Sequence, residues 1–553
     1  MSTKIETSKL LMGQMMENPL MISGILRHAA KHHADTEIIS RRTEGDIHKY
    51  SYKDCELRSR KFAQALVQLN IKPGVRVGTL AWNGYRHLEI YYAVSGSGAV
   101  CHTINPRLFP EQIVYIINHA EDQVILFDTT FLPLVESIKD QCPTVIDWIC
   151  LSDETAMPKS NISNLLCYET LLSDKNGDFE WPEFDENAAS SLCYTSGTTG
   201  NPKGALYSHR STVLHSYASA MPDALNISAV DTIMPVVPMF HVNAWGLPYS
   251  ALLSGAKLVF PGAKLDGASL YELFETHKIT MSAGVPTIWA GLIQHVVSNN
   301  LQFTTFKRTV IGGSACPPAM MDTLQDMGIE VIHAWGMTEL SPLGTVAKLK
   351  SKDLLKDKAE QKKILQKQGR AIFGIDMKII DGEGNDLPHN GVAFGDLLVK
   401  GSWVISSYYR GDKSPLINGW FPTGDVSNID TDGNMQITDR SKDVIKSGGE
   451  WISSIDIENV ASAHPAVSMA ACISAFHPKW DERPLLVIVK KENVSLEDQE
   501  LKKDILEFFD GKIAKWWLPD DVVYVDHIPL TATGKMQKLK LREIFKDYKL
   551  PTV

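Results

Sequence analysis

Short apolar runs alternate with amphipathic stretches over most of this chain, and that alternation constrains its fold more than any other feature. Val75–Leu80 and Val124–Phe127 read as short buried strands, and Leu57–Leu69 carries apolar residues near the helical period. Lys257–Phe260, Met281–Val285 and Val310–Gly313 read as further strands, with helical stretches such as Leu270–His277 between them. Strand and helix in repeated alternation predict an α/β architecture with buried sheets. Near residue 375 the texture changes. From Ile375 to Asp439, short alternating segments broken by Gly and Asp predict a β-rich subdomain. From Ser441 a block of about a hundred residues has strands of its own (Val467–Phe476, Pro484–Lys490) and a helix over Asp498–Phe509, which is the size of a small domain. The expected organisation is a large N-terminal domain of stacked α/β subdomains plus the β-rich subdomain, residues 1–440, and a small α+β C-terminal domain, residues 441–553.

Bulk properties narrow the function classes. The formal net charge of -10 gives no global attraction to nucleic acid or to an anionic membrane. A local basic cluster, Lys535–Lys540, can still meet a phosphate ligand. The longest stretch free of Asp, Glu, Lys and Arg, Thr232–Ala256, contains Pro235, Pro238 and Pro248 with His241 and Asn243. That composition suits a buried, turn-rich segment and disfavours a membrane span. The N-terminus has acids early and no long apolar core, unlike a signal peptide. Cysteines at 55, 101, 142, 150, 167, 193, 316 and 472 form no CxxC pair, so a zinc or redox motif has little support. Reduced, mostly buried thiols in a cytoplasmic enzyme are the expectation.

The strongest chemical signal runs from Tyr194 to Gly204: YTSGTTGNPKG. Its glycines (Gly197, Gly200, Gly204) let backbone approach a ligand closely. Its hydroxyls (Thr195, Ser196, Thr198, Thr199) can donate to phosphate oxygens, and Lys203 adds a cation. The apolar lead-in Ser191–Tyr194 reads as a strand. The Walker pattern requires GxxxxGK[ST], whereas Gly204 follows Lys203 here, so phosphate binding is favoured and a P-loop NTPase is not.

This loop resembles the phosphate loop of the adenylate-forming enzymes: acyl-CoA synthetases, nonribosomal-peptide adenylation domains and luciferases. The resemblance extends from about residue 25 to 545. It recurs in order at His333–Glu339 (HAWGMTE), Trp420–Asp425 (WFPTGD), Asp439–Asp443 (DRSKD), Ser447–Glu450 (SGGE) and Thr533–Lys535 (TGK). It implies ATP, Mg²⁺ and coenzyme A as co-substrates and cofactor of a carboxylic acid–activating reaction, with Lys535, Glu339 and Lys203 as the catalytic set. By the same resemblance Thr195 and Glu339 hold Mg²⁺, and Ser196, Gly197, Thr198, Thr199, Gly200 and Lys203 cradle phosphates. Asp425 takes the ribose hydroxyls with Arg440 nearby. Gly313 and Ser314 face adenine, and Trp335 stands where many relatives carry Tyr, with the Tyr hydroxyl's hydrogen bond lost. Val242, Trp245, His333, Ala334, Thr338, Lys442, Lys446 and Trp451 complete the implied binding set. Lys442 occupies the family's hinge position. The implied mechanism swings the C-terminal domain, bringing Lys535 in for adenylation and Gly448-Gly449 to a thiol-entry tunnel afterwards.

Phe240–Pro248 (FHVNAWGLP) and Trp451 resemble the bacterial medium- and long-chain fatty acyl-CoA synthetases, in which the counterpart of Trp245 gates the acyl tunnel. Met12–Met16, Trp82–Arg86 and Thr103–Leu108 resemble a narrower set that includes enzymes assigned to 3-(methylthio)propionate. Trp245, Val285, Pro286 and Trp289 are the candidate acyl-pocket wall. An unbranched acid and a thioether acid of similar length differ by one polarizable atom, which an apolar slot separates poorly. The alternatives are a carrier-loading adenylation enzyme, a long-chain fatty acid–CoA ligase and a silent ligand-binding relative. Against the last stands the joint presence of Lys203, Glu339, Asp425 and Lys535. The expected partners are small molecules only, without nucleic acid or integral membrane association. A homodimer is implied by the fatty-acid members, which often pair.

Overall fold

The helix Tyr85–Gly96 is buried along its whole length, so it lies between layers and not on a surface. The computed structural model describes residues 10–195, 201–448, 450–491, 494, 496–531 and 536–553, without the side chains of Glu450 and Trp451. Among these residues the chain builds four sheets. The first has seven strands in the order Leu166–Cys167, Asp147–Leu151, Asp122–Asp128, Arg76–Leu80, Val100–Thr103, Ala189–Tyr194 and Gly204–Ser208. All its pairings are parallel except the last.

The second sheet has nine strands. Glu330–Gly336, Arg308–Ile311, Met281–Gly284, Thr232–Pro235, Lys257–Phe260 and Glu37–Arg41 run parallel at its centre. Glu37–Arg41 pairs with Lys257–Phe260 although Ile38 and its partner Leu258 are far apart in the chain, and Ile47–Ser51 closes that edge as an antiparallel hairpin strand. The largest core cluster draws on both sheets (Val77 and Cys101, Ile233 and Leu258) and on the helices between them, including Ile22–His32, Tyr52–Gln68 and Leu247–Ser254. Helices thus fill the space between two sheets, as the alternating pattern predicts.

Several elements differ in extent from the sequence reading. The helix expected over Leu57–Leu69 spans Tyr52–Gln68. Its start is set by Ser51, whose hydroxyl accepts from the Asp54 N–H while the Asp54 carboxylate accepts from the Ser51 N–H. The uncharged stretch Thr232–Ala256 is a strand, a turn and the helix Leu247–Ser254. No helix among the described residues is long and apolar enough to cross a membrane. All eight cysteines are free and buried.

The β-rich segment forms a four-stranded antiparallel sheet of Ile375–Ile380, Phe394–Gly401, Phe421–Ile429 and Met435–Arg440. Beyond it, Val467–His477 pairs with Asp481–Lys490 in a sheet that also contains Ile445–Ser447, Glu450–Ile452 and Asp521–Tyr524. A buried polar knot joins the two blocks. The Asp439 carboxylate accepts from the Ser454 N–H and hydroxyl, both at 2.7 Å. Lys538 Nζ donates to Ser454 Oγ at 2.6 Å and pairs with Glu458 at 2.7 Å. Burial pushes the Glu458 carboxyl up to about 7 against the pull of Lys538.

Candidate active site

The phosphate-loop candidate closes a hairpin at one edge of the seven-stranded sheet. Strand Ala189–Tyr194 runs into it and Gly204–Ser208 runs out, with Tyr194 opposite Gly204. The apolar lead-in is therefore a strand, as read. At the hairpin base Thr195 N–H donates to the Lys203 carbonyl at 2.9 Å. The tip residues Ser196, Gly197, Thr198, Thr199 and Gly200 lie outside the described residues, as does Lys535. Leu530 and Met536, which flank the Lys535 segment, form an antiparallel bridge.

Glu339 follows the strand Glu330–Gly336 in a short 3-10 turn, Thr338–Leu340. Its side chain is buried and accepts from the Tyr408 hydroxyl at 2.7 Å. The turn is pinned twice more: Tyr207 donates its hydroxyl to the Thr338 carbonyl, and Ile405 N–H donates to the Glu339 carbonyl. Lys203 Nζ lies 4.9 Å from the centroid of the Tyr408 ring, close enough for a cation–π contact. The sequence reading missed Tyr408. Its signal is faint: two adjacent tyrosines in the turn-rich stretch Ser406–Lys413.

Asp425 lies on strand Phe421–Ile429 directly opposite Arg440. Its Oδ2 accepts from the Trp335 indole N–H at 2.9 Å. Arg440 Nε sits 2.7 Å from Oδ1, yet that buried oxygen has no aligned hydrogen bond. The contact is thus a charge pairing that leaves an acceptor direction open. A buried carboxylate oxygen held by a charge pairing alone can still accept from a ligand donor. Trp335 thus has a polar link of its own through the indole N–H. Its ring packs on Gly344, where an added Cβ would come within 2.6 Å.

The adenine-segment candidates follow strand Arg308–Ile311. A Cβ on Gly312 would meet the Ala334 carbonyl at 2.7 Å and the Trp245 ring at 3.4 Å, so this turn brings Trp245 against the Gly312–Ser314 segment and strand Glu330–Gly336. Gly313 has φ +79°, in the left-handed region that favours glycine. His333 is buried; one ring nitrogen meets the Gln366 carbonyl at 2.9 Å and the other has no partner. Burial lowers its pKa to about 4, which keeps it neutral.

Val242, Asn243, Ala244 and Trp245 all have positive φ, between 42° and 55°. A left-handed turn of non-glycine residues costs roughly 1–2 kcal/mol per residue. It is held by Asn243, whose amide donates to Ser191 Oγ at 2.9 Å and accepts from Cys193 Sγ at 3.2 Å. The strain is therefore anchored to the strand Ala189–Tyr194, which leads into the phosphate-loop candidate. Trp289 is fully buried; its ring packs on Gly284 and stacks with Phe306. This placement makes it a core aromatic residue, although its indole N–H has no partner.

On the C-terminal side, Lys442 lies in the turn that follows strand Met435–Arg440, beside Ser441, whose hydroxyl donates to Asp396 at 2.8 Å. Lys446 pairs in register with Trp451, and its N–H donates to Glu482. Gly448 has φ +59°, and an added Cβ would come within 2.8 Å of the Trp480 ring.

Known proteins match the chain along most of its length. The AMP-binding enzyme family matches residues 26–409, and the AMP-binding enzyme C-terminal domain matches residues 456–535. This chain belongs to the AMP-binding enzyme family. A relative from Ruegeria lacuscaerulensis named 3-methylmercaptopropionyl-CoA ligase is 54% identical over 97% of this chain and 99% of its own length. One from Ectopseudomonas oleovorans named medium-chain-fatty-acid–CoA ligase is 50% identical over 97% of this chain and 98% of its own. The crystal structure of an anthranilate CoA ligase in complex with anthranoyl-AMP superposes with a TM-score of 0.85 at 23% identity, covering 98% of this chain and 99% of that one. That likeness shows that this AMP-binding enzyme shares the family's mixed α/β fold, with a large N-terminal part and a small C-terminal one.

Proposed function

We propose that the chain joins a carboxylic acid to coenzyme A through an acyl-adenylate, converting acid, ATP and CoA to acyl-CoA, AMP and pyrophosphate. The observation that carries this reading is the 54% identity, over almost the whole of both chains, to a relative named 3-methylmercaptopropionyl-CoA ligase. The proposed acid is 3-(methylthio)propionate. Medium-chain fatty acids form a second substrate set, supported by the 50% identity to the relative named for them.

In this reading the chain's residues divide the work. Asp425 accepts the ribose hydroxyls with its unfilled oxygen, held in place by the Trp335 indole and Arg440. The Gly312–Ser314 turn and Ala334 receive adenine. Thr195 to Lys203 takes the departing pyrophosphate, and Lys535 neutralises charge as the acid's carboxylate attacks the α-phosphate. Among the described residues no three His, Cys, Asp or Glu side chains gather into a metal cage. The residues present do fit Mg²⁺, which is commonly held by one or two protein oxygens plus substrate phosphates. Glu339 and Thr195 would hold it, and it would supply charge neutralisation at the phosphates. We place the domain boundary at Arg440–Lys442 and read it as the hinge of the C-terminal domain. The free, buried thiols support a cytoplasmic enzyme.

The test is a panel of acids assayed with the purified chain, ATP, Mg²⁺ and CoA for AMP and pyrophosphate. The expected result is highest kcat/KM with 3-(methylthio)propionate and C4–C8 acids. ADP and inorganic phosphate as products would overturn the reaction class. AMP formation that requires a carrier-bound thiol in place of CoA would move the chain to the carrier-loading reading.

A further inference from the structure

The segment Trp403–Arg410 has no regular structure, yet it is tied at two points to two different sheets. Ile405 N–H donates to the Glu339 carbonyl at 2.9 Å, and Tyr409 N–H donates to the Gly204 carbonyl at 2.8 Å. Glu339 follows a strand of the nine-stranded sheet, and Gly204 opens a strand of the seven-stranded one. The segment is therefore a strap across the two candidate phosphate-side loops. Between its ties sits Tyr408. Its hydroxyl donates to Glu339 Oε1 at 2.7 Å, and its ring faces the Lys203 ammonium at 4.9 Å. One half-buried side chain thus touches an acid and a base that arrive from separate sheets.

The physical consequence differs for the two contacts. A carboxylate has two oxygens and several lone-pair directions, and its terminal torsion is broad. A donor fixed on Oε1 narrows the orientations the carboxylate can take. A lysine ammonium is a point charge on a flexible stem, and an aromatic face narrows where it rests.

We propose that Tyr408 is a positioning residue that sets Glu339 and Lys203 at a fixed spacing for the Mg²⁺-bound triphosphate of ATP. The inference rests on the reading of Glu339 and Lys203 given above. It predicts a separation of function within one side chain: the hydroxyl serves the metal side through Glu339, and the ring serves the phosphate side through Lys203.

The experiment is calorimetric ATP binding to the purified full chain without acid or CoA, once with EDTA and once with Mg²⁺. The ratio of the two affinities is the coupling between metal and nucleotide. Tyr408→Phe keeps the ring and removes the hydroxyl. It is expected to leave metal-free ATP affinity within about twofold and to lower the Mg²⁺-dependent gain by about 5–10-fold, the scale of one typical net hydrogen bond. Tyr408→Leu removes the ring as well and is expected to weaken metal-free binding by about 3–5-fold further, the scale of one cation–π contact. Glu339→Gln lowers the Mg²⁺-dependent gain, and adding Tyr408→Phe to it is expected to change the gain no further, because the hydroxyl acts through that carboxylate. Melting curves matching the parent confirm that each variant is folded. A Tyr408→Phe protein with the parent's Mg²⁺ gain, or an additive double variant, overturns the inference. A Glu339→Gln protein with the parent's Mg²⁺ gain overturns the underlying reading of Glu339, and it does so visibly apart from any failure of Tyr408.

Discussion

The rim of Lys203, Glu339 and Asp425 and the knot of Asp439, Ser454, Glu458 and Lys538 draw on the same kinds of charged group to opposite ends. At the rim, Asp425 and Lys203 are held but left open to a ligand. Asp425 keeps an oxygen without an aligned donor, and Lys203 is exposed over a ring. In the knot, Lys538 Nζ is bound by both Ser454 and Glu458, and both carboxylates are bonded. Incomplete polar satisfaction is what a ligand can complete; complete satisfaction fixes a backbone. The comparison also separates two lysines three positions apart. Lys535 is assigned to the chemistry, whereas Lys538 binds Ser454 and Glu458 of the helix Ser454–Ser462, and Ser454 in turn binds Asp439.

The sharpest break of this contrast comes from substituting those two lysines. Lys535→Ala is expected to slow adenylate formation by about 10²–10³-fold, measured as acid-dependent pyrophosphate exchange, while thioester formation from supplied acyl-adenylate persists. Equal loss of both half-reactions would take Lys535 out of that role. Lys538→Met is expected instead to cost stability, about 3–5 kcal/mol, because it strands the buried Glu458 and Asp439. Chemical denaturation should show it as an early transition of the C-terminal block, and a parent-like denaturation curve would refute the structural role.

Acid should expose a third difference. Burial depresses the pKa values of His87, His209 and His333 to about 4 and that of His215 to about 3. The unfolded chain takes up these protons near pH 6.5, before the folded one does. Their contribution is therefore complete above about pH 6.5 and is lost as pH falls through the folded values, on the order of 3–5 kcal/mol each. Melting temperature should fall steeply between pH 6.5 and 4, and His209→Phe should flatten that slope. The smallest effect is expected at the rim. Trp335→Phe removes one donor from Asp425 and should raise the KM for ATP by about fivefold to tenfold, the scale of one typical net hydrogen bond. An unchanged KM would mean that the indole N–H does not orient Asp425.

Much of the fold was legible because its signals are local. Strand runs such as Asp122–Asp128 are short and apolar, and the lead-in to the phosphate loop is a strand as read. The ordered motifs identified the family, since each is a contiguous string. What escaped the sequence depends on distant pairs. Trp335 reaches Asp425 across 90 positions, and Tyr408 reaches Glu339 across 69. No periodicity encodes such contacts. Trp289, read as part of an acyl-pocket wall, is fully buried against Phe274 and Phe306, contacts that no sequence spacing encodes.

The strand Glu37–Arg41 imposes an order of events on biosynthesis. Its parallel neighbour begins at Lys257, some 220 residues later. At about 5–20 residues per second, roughly 10–45 s pass before that partner leaves the ribosome. During that interval the first hairpin has one edge unpaired, a template for other chains. Recombinant yield should therefore respond to translation speed across residues 50–260 more than to changes of codon usage near the C-terminus.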